Sequence, residues 1–203
     1  MKRFAVFVSG AGTNLKAIIE AVNKGEITSK LAMVFSNKPK SGGLKLAVEA
    51  GLETLHLNPK DYTNPQSFER DVVIHLKQAN IDFIVTAGYM VIFTPYFIKE
   101  YTNRIINIHP SLLPSFKGAN GIKDAFTYGV KQTGVTVHYV NEKMDNGPII
   151  LQETVKVAND ETLESLTEKI HKVEYKIFKQ AIALHEKGCL KVISARRVEI
   201  IEK

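Results

Sequence analysis

The chain has 203 residues, with 27 Lys and Arg against 21 Asp and Glu, a formal net charge of +6 with the histidines neutral. Hydrophobic residues make up 44 % and charged residues 24 %, which excludes collagen-like, low-complexity and disordered chains. One cysteine, Cys189, excludes an intrachain disulfide and a cysteine-based zinc site and suits a reducing, cytoplasmic setting. The modest, dispersed positive charge and the lack of Trp fit an anionic small molecule better than nucleic acid.

Met1-Lys2-Arg3 followed by Phe4 to Val8 imitates the start of a signal peptide. Ser9-Gly10 ends that apolar run before an h-region of about 7–15 residues is reached. No apolar run is long enough to predict a membrane span.

Phe4 to Val8 reads as a buried strand stopped by Ser-Gly. Leu15, Ile18, Ile19 and Val22 follow at helical spacing, with Asn14 as the expected cap and Gly25 as the stop. Leu31 to Phe35 predicts a second strand, Leu44 to Ala50 a short helix and Glu53 to Leu57 a third strand. Asn64-Pro65 marks a helix start, with Pro in the first helical position and an apolar face of Phe68, Val72, Val73, Leu76 and Ala79. Ile81 to Val85 predicts a fourth strand, Pro95 to Tyr101 a short helix and Arg104 to Ile108 a fifth strand.

The second half changes character. Gly134 to Tyr139 and Ile149 to Val155 read as a hairpin-like pair. The longest helical pattern runs from Leu163 to Gly188, and Val192-Ile193 with Val198 to Ile201 predicts a small terminal hairpin. The expected fold is therefore α/β: a doubly wound, mostly parallel sheet with helices on both faces and an antiparallel extension in the C-terminal half. No repeat or linker interrupts it, so residues 1–203 are expected to form one domain.

Ligands of open parallel sheets bind beyond the carboxyl ends of the strands. Ser9-Gly10-Ala11-Gly12-Thr13-Asn14 occupies such a place and is either an anion-binding loop at a helix start or a tight Gly-rich turn with an Asn cap. Leu15 stands where a dinucleotide fingerprint needs its third Gly, and the Gly-Lys-Ser/Thr of a Walker loop is missing. A single terminal phosphate fits better than NAD or ATP.

Asn107-Ile108-His109-Pro110-Ser111-Leu112-Leu113-Pro114 follows the fifth strand. The period of two puts Asn107 and His109 on one face. There an amide can donate to a developing oxyanion and an imidazole can move protons near neutral pH. Asp145, in Met144-Asp145-Asn146-Gly147-Pro148, is either a turn former or the carboxylate that orients His109. Ser111 lies near His109 without a Gly-x-Ser-x-Gly elbow. His56, His75, His138 and His185 fall in ordinary strand or helix patterns, no His-x-x-x-His spacing occurs, and no metal is expected.

Four segments, Phe7–Leu15, Val34–Lys38, Asn107–Pro114 and Met144–Ile150, occur together in an order that resembles the phosphoribosylglycinamide formyltransferase family. The resemblance covers nearly the whole chain. It implies transfer of the formyl group of 10-formyltetrahydrofolate to the amine of glycinamide ribonucleotide in purine synthesis, in a monomer or homodimer. Carried over residue by residue, Asn107, His109 and Asp145 would be catalytic, with His109 as general acid. Gly12, Thr13 and Asn14 would hold the ribonucleotide phosphate, and Glu174 the glycinamide end. Met90, Val91, Ile92 and Phe93 would form one wall of the folate site, and Asn141, Glu142, Lys143, Met144 and Asp145 the other, with Asn107 beside them. The chain departs from the family pattern at Val91, Asn120 and Pro65, where polar or basic residues are usual. Two related activities differ in domain content. A methionyl-tRNA formyltransferase would be expected to carry a further C-terminal domain, and a formyltetrahydrofolate hydrolase an N-terminal regulatory one.

Overall fold

The computed structural model describes residues 1–202. They form two compact units, Met1–Ile106 and a second beginning at Asn107. In the first unit strand and helix alternate: β1 (Arg3–Val8), α1 (Thr13–Asn23), β2 (Lys30–Ser36), α2 (Gly42–Glu49), β3 (Thr54–His56), a 3-10 turn at Pro59–Asp61, α3 (Pro65–Gln78), β4 (Phe83–Thr86) and α4 (Pro95–Glu100). β5 (Ile105–His109) straddles the boundary.

The strand order in this unit is β3-β2-β1-β4-β5, and β1 runs parallel to both of its neighbours. Phe4 to Val8 are completely buried, as expected for a central strand covered on both faces. Around them pack Phe35, Phe83 and Phe97, with the Phe7 and Phe35 rings 4.6 Å apart. The chain visits β1, β2 and β3 in one direction, then returns to place β4 on the other side of β1. The β1/β4 boundary is thus a topological switch point, where the loops beyond the strands part and leave room for a ligand.

Local chemistry sets the helix ends. Asn64 accepts from Ser67 N while Ser67 Oγ closes the capping box, and Pro65 sits in the first turn, as expected. Gly25, at φ 73°, follows α1 as the predicted stop. The N-cap of α1 differs from expectation. It is Gly12, in the left-handed region at φ 86°, and Asn14 lies inside the helix. A Cβ on Gly12 would come within 2.7 Å of Gly43 Cα, so only glycine fits this junction between α1 and α2.

The second unit contains the end of β5, α5 (Gly121–Tyr128), β6 (Gln132–Tyr139), β7 (Ile149–Lys156), α6 (Leu163–Glu186), β8 (Leu190–Ser194) and β9 (Arg197–Ile200). Its strand order is β5-β6-β7-β9-β8. β6 and β7 pair antiparallel over their length, and β8 and β9 form the terminal hairpin. The parallel first half with an antiparallel C-terminal extension is the expected class. α5 is an addition to the sequence reading. α6 starts at a Thr162–Ser165 capping box and buries Leu166, Ile170, Ile177, Phe178, Ala181 and Ile182 at helical spacing. Among the described residues no helix is long and apolar enough to cross a membrane.

One buried carboxyl fixes the segment after β4. Glu69, on α3 and 3 % exposed, accepts from Thr94 N at 2.8 Å and from the Thr94 hydroxyl. Thr94 is the residue before α4. Burial pushes the Glu69 carboxyl above its ordinary range, and the two Thr94 bonds pull it part of the way back. Removing this acceptor leaves a part-buried N–H without its partner. Glu69→Ala is therefore expected to cost about 1–3 kcal/mol in urea unfolding, with Glu69→Gln recovering part of it; an unchanged midpoint in Glu69→Ala would contradict this role.

Candidate active site

In the second unit β5 delivers Asn107 and His109 to the same face, as the strand period requires. Both meet residues from β6 and from the turn that follows it. The Asn107 amide N–H donates to His138 Nε2 at 3.1 Å, because His138 Nδ1 donates to Tyr139 O at 2.8 Å. This arrangement needs His138 neutral, with its proton on Nδ1. Burial drives its pKa below the ordinary histidine value, outweighing the bond to Tyr139 O and the Asp145 charge, which act the other way.

His109 is 4 % exposed. Its Nε2 lies 2.8 Å from Phe116 O and its Nδ1 3.5 Å from Asp145 Oδ2. The ring can donate to both when it carries two protons. Asp145 adopts a left-handed φ of 47°, which turns its carboxylate back to accept from Gly118 N at 2.8 Å. Its other oxygen lies 3.8 Å from His138 Nε2, a neutral neighbour rather than an ion-pair partner. Four side chains, Asn107, His109, His138 and Asp145, thus form one cluster. Three were anticipated. His138, read from the sequence as unremarkable, is the fourth.

The run after His109 is pinned from β6 and β7. The Thr136 hydroxyl donates to Ser111 O at 2.7 Å and accepts from Leu113 N at 3.0 Å, and Gln152 Nε2 donates to Leu113 O at 3.0 Å. Ser111 is fully buried and donates its hydroxyl to Ser115 O, so it does not face His109 as a nucleophile would. Gly121 heads α5 against the imidazole: a Cβ there would lie 3.2 Å from His109 Nε2.

The turn Asn141 to Asp145 is closed by Asn141 Nδ2 donating to Asn146 O at 3.1 Å. Glu142, Lys143 and Met144 are exposed. Glu174, on α6, is 5 % exposed, with His171 Nε2 3.9 Å from its carboxylate.

In the first unit the Ser9–Asn14 loop ends on the N-terminal turn of α1, with Thr13 in the first helical position. Beside it is an open hollow of about 290 Å³ lined by Ala11, Gly12, Thr13, Lys16, Gly42 and Lys45 among others. Glu49 also lines it, 3.9 Å from Lys45; backbone donors, a helix start and Lys16 suit an anion. Met90 and Ile92 are 65 % and 59 % exposed, and Val91 is half-buried. Phe93 turns inward, with its ring stacked 4.5 Å from Phe97. Among the described residues no group of His, Cys, Asp and Glu could hold a metal ion, and Cys189 is half-buried as a free thiol.

The formyl transferase family model matches residues 2–182. The chain is 38 % identical over 192 residues to phosphoribosylglycinamide formyltransferase of Bacillus subtilis, covering 93 % of this chain and 98 % of that one. The crystal structure of glycinamide ribonucleotide transformylase 1 from Symbiobacterium toebii superposes with a TM-score of 0.95 at 40 % identity, covering 100 % of this chain and 95 % of that chain. A formyltetrahydrofolate deformylase from Pseudomonas syringae is also similar, with a TM-score of 0.88 at 29 % identity, over 99 % of this chain and 66 % of that one. With its matched motifs and near-complete coverage of such relatives, the chain belongs to the phosphoribosylglycinamide formyltransferase family of one-carbon transferases.

Proposed function

We propose that the protein transfers the formyl group of 10-formyltetrahydrofolate directly to the amine of glycinamide ribonucleotide, in the cytoplasm. The observation that carries this reading is the buried cluster of Asn107, His109 and Asp145, whose residue types match what the reaction needs. Amine attack on a formamide carbon places negative charge on the formyl oxygen. It calls for a donor to that oxygen and a route for protons, with no covalent nucleophile. The Asn107 amide, oriented by His138, is the donor. His109 supplies the proton taken up by the departing folate nitrogen as its bond to the formyl carbon breaks. Asp145 holds the imidazole in place, and the proton lost by the attacking amine leaves through the same cluster.

Gly12, Thr13 and Asn14 hold the ribonucleotide phosphate through backbone and hydroxyl donors. Glu174 receives the glycinamide end. The exposed apolar faces of Met90 and Ile92, with Val91 and Phe93, suit a flat aromatic ring, and Asn141 to Asp145 supply polar groups to the same cosubstrate. The family match runs through both units, which supports their acting together as a single formyltransferase domain.

The test is a spectrophotometric assay with a 10-formylfolate donor, with and without glycinamide ribonucleotide. Turnover should require the amine. Donor breakdown in its absence would instead favour the deformylase activity named for the Pseudomonas relative. His109→Ala is expected to lower kcat by about 10²–10⁴-fold while ribonucleotide binding persists; near-normal turnover would overturn the mechanism. Thr13→Ala should weaken ribonucleotide binding by about tenfold with little change in kcat, and an unchanged Kd would remove Thr13 from the phosphate site. A pH dependence follows from His138. The unfolded chain takes up a proton there near pH 6.5, whereas the folded chain resists it. Stability from this group is complete above about pH 6.5 and is lost as the pH falls through that value toward the lowered folded one. Unfolding of His138→Gln should therefore lose less stability than wild type across this range; parallel profiles would contradict a buried neutral His138.

A further inference from the structure

Ser9 sits where β1 ends, at the switch point between β1 and β4, and is 5 % exposed. Its backbone N–H and its hydroxyl are engaged with neighbouring strand-end segments. Its backbone N–H donates to Gly88 O at 3.2 Å, its hydroxyl donates to Asn37 Oδ1 at 2.7 Å, and the same hydroxyl oxygen accepts from Met90 N at 3.1 Å. Asn37 in turn follows β2, where Lys38 N is held by Ser36 Oγ at 3.1 Å. One serine therefore ties together the segments that leave β1, β2 and β4. At a switch point the loops beyond the strands diverge. Beside the one backbone bond to Gly88, a short hydroxyl that both donates and accepts is suited to bridging two neighbours at once.

From this hub we infer that Ser9, with Asn37 as its acceptor, is a positioning residue that couples the two substrate segments of the first unit. This rests on the roles proposed above for Gly12–Asn14 and Met90–Phe93. Ser9 opens the first segment and fixes the backbone of the second at Met90. The far end of the second is fixed separately, by Glu69 at Thr94. Ordering the phosphate loop on one ligand restrains Ser9, and through the hydrogen bond to Met90 N it restrains the second segment before the other ligand arrives. That ordering is then not needed a second time, so each ligand tightens the other, by the same factor in both directions. It also gives Ser36-Asn37-Lys38 a purpose: Asn37 keeps the Ser9 proton turned away, so that the hydroxyl lone pair faces Met90 N.

The experiment is titration calorimetry on the full chain. The Kd of glycinamide ribonucleotide is measured with and without a saturating folate analogue whose 10-substituent cannot be transferred. Wild type should bind the ribonucleotide more tightly when the analogue is present. In Ser9→Ala that enhancement should shrink by about three- to tenfold, while each ligand alone still binds. Ser9→Thr, which keeps a hydroxyl, should retain it. Asn37→Ala leaves Ser9 in place and should reduce the enhancement through loss of the acceptor, which keeps the test open if Ser9→Ala fails to fold. A merely structural serine would lower the melting temperature and leave the enhancement intact, and that result overturns the inference. So does a wild type that binds both ligands with no enhancement, which leaves the proposed function standing. A wild type that binds neither ligand defeats the proposed function itself.

Discussion

His109 is held at both ring nitrogens, by a backbone carbonyl on one side and a carboxylate on the other, and the second unit is arranged to keep it there. Phe116 can offer its carbonyl because the run from Ser111 to Leu113 is pinned by Thr136 and Gln152. Asp145 can reach back because its backbone takes a left-handed turn and Gly118 N anchors one oxygen. Gly121 lets α5 start against the ring. A buried imidazole with unsatisfied nitrogens would be costly, so these contacts stabilise the fold and fix the geometry of the imidazole together.

The two units contribute different physics. The first presents backbone donors at the start of α1 and an exposed apolar segment after β4, both growing from the ends of parallel strands. The second presents a titratable cluster on β5, on the neighbouring β6 and on the turn that follows it. On the proposed function, binding energy and proton transfer fall to different parts of the chain, so substitutions at Thr13 and His109 are expected to act on different kinetic constants. Within the first unit, Ser9 joins three strand-end segments by hydrogen bonds.

Much of this was legible in the sequence. β1, β2 and β4 are short apolar runs, α3 and α6 carry apolar stripes between capping residues, and the strand period alone places Asn107 beside His109. What was missed has physical causes. α5 buries only Gly121 and Ala125, so no apolar stripe announces it. Asn14 looked like a cap, but the left-handed Gly12 holds that place because the loop packs against Gly43. His138 lies on a strand whose residues are buried on both faces from Thr133 to Tyr139, so no alternation singles it out. Its partner Asn107 is 31 residues away, beyond any local pattern. Asp145 reads from the sequence as either a turn former or the carboxylate beside His109, because a turn aspartate does not say which, and the role expected of Glu174 rests on the resemblance alone.

The proposed mechanism requires His109 and Asp145 to work as one device. A double-mutant cycle on kcat/KM, with His109→Ala, Asp145→Ala and the double variant, measures this most directly. Steeply non-additive losses are expected, with the double variant little worse than His109→Ala alone. Additive losses would mean that the carboxylate and the imidazole act independently, and would contradict the central claim.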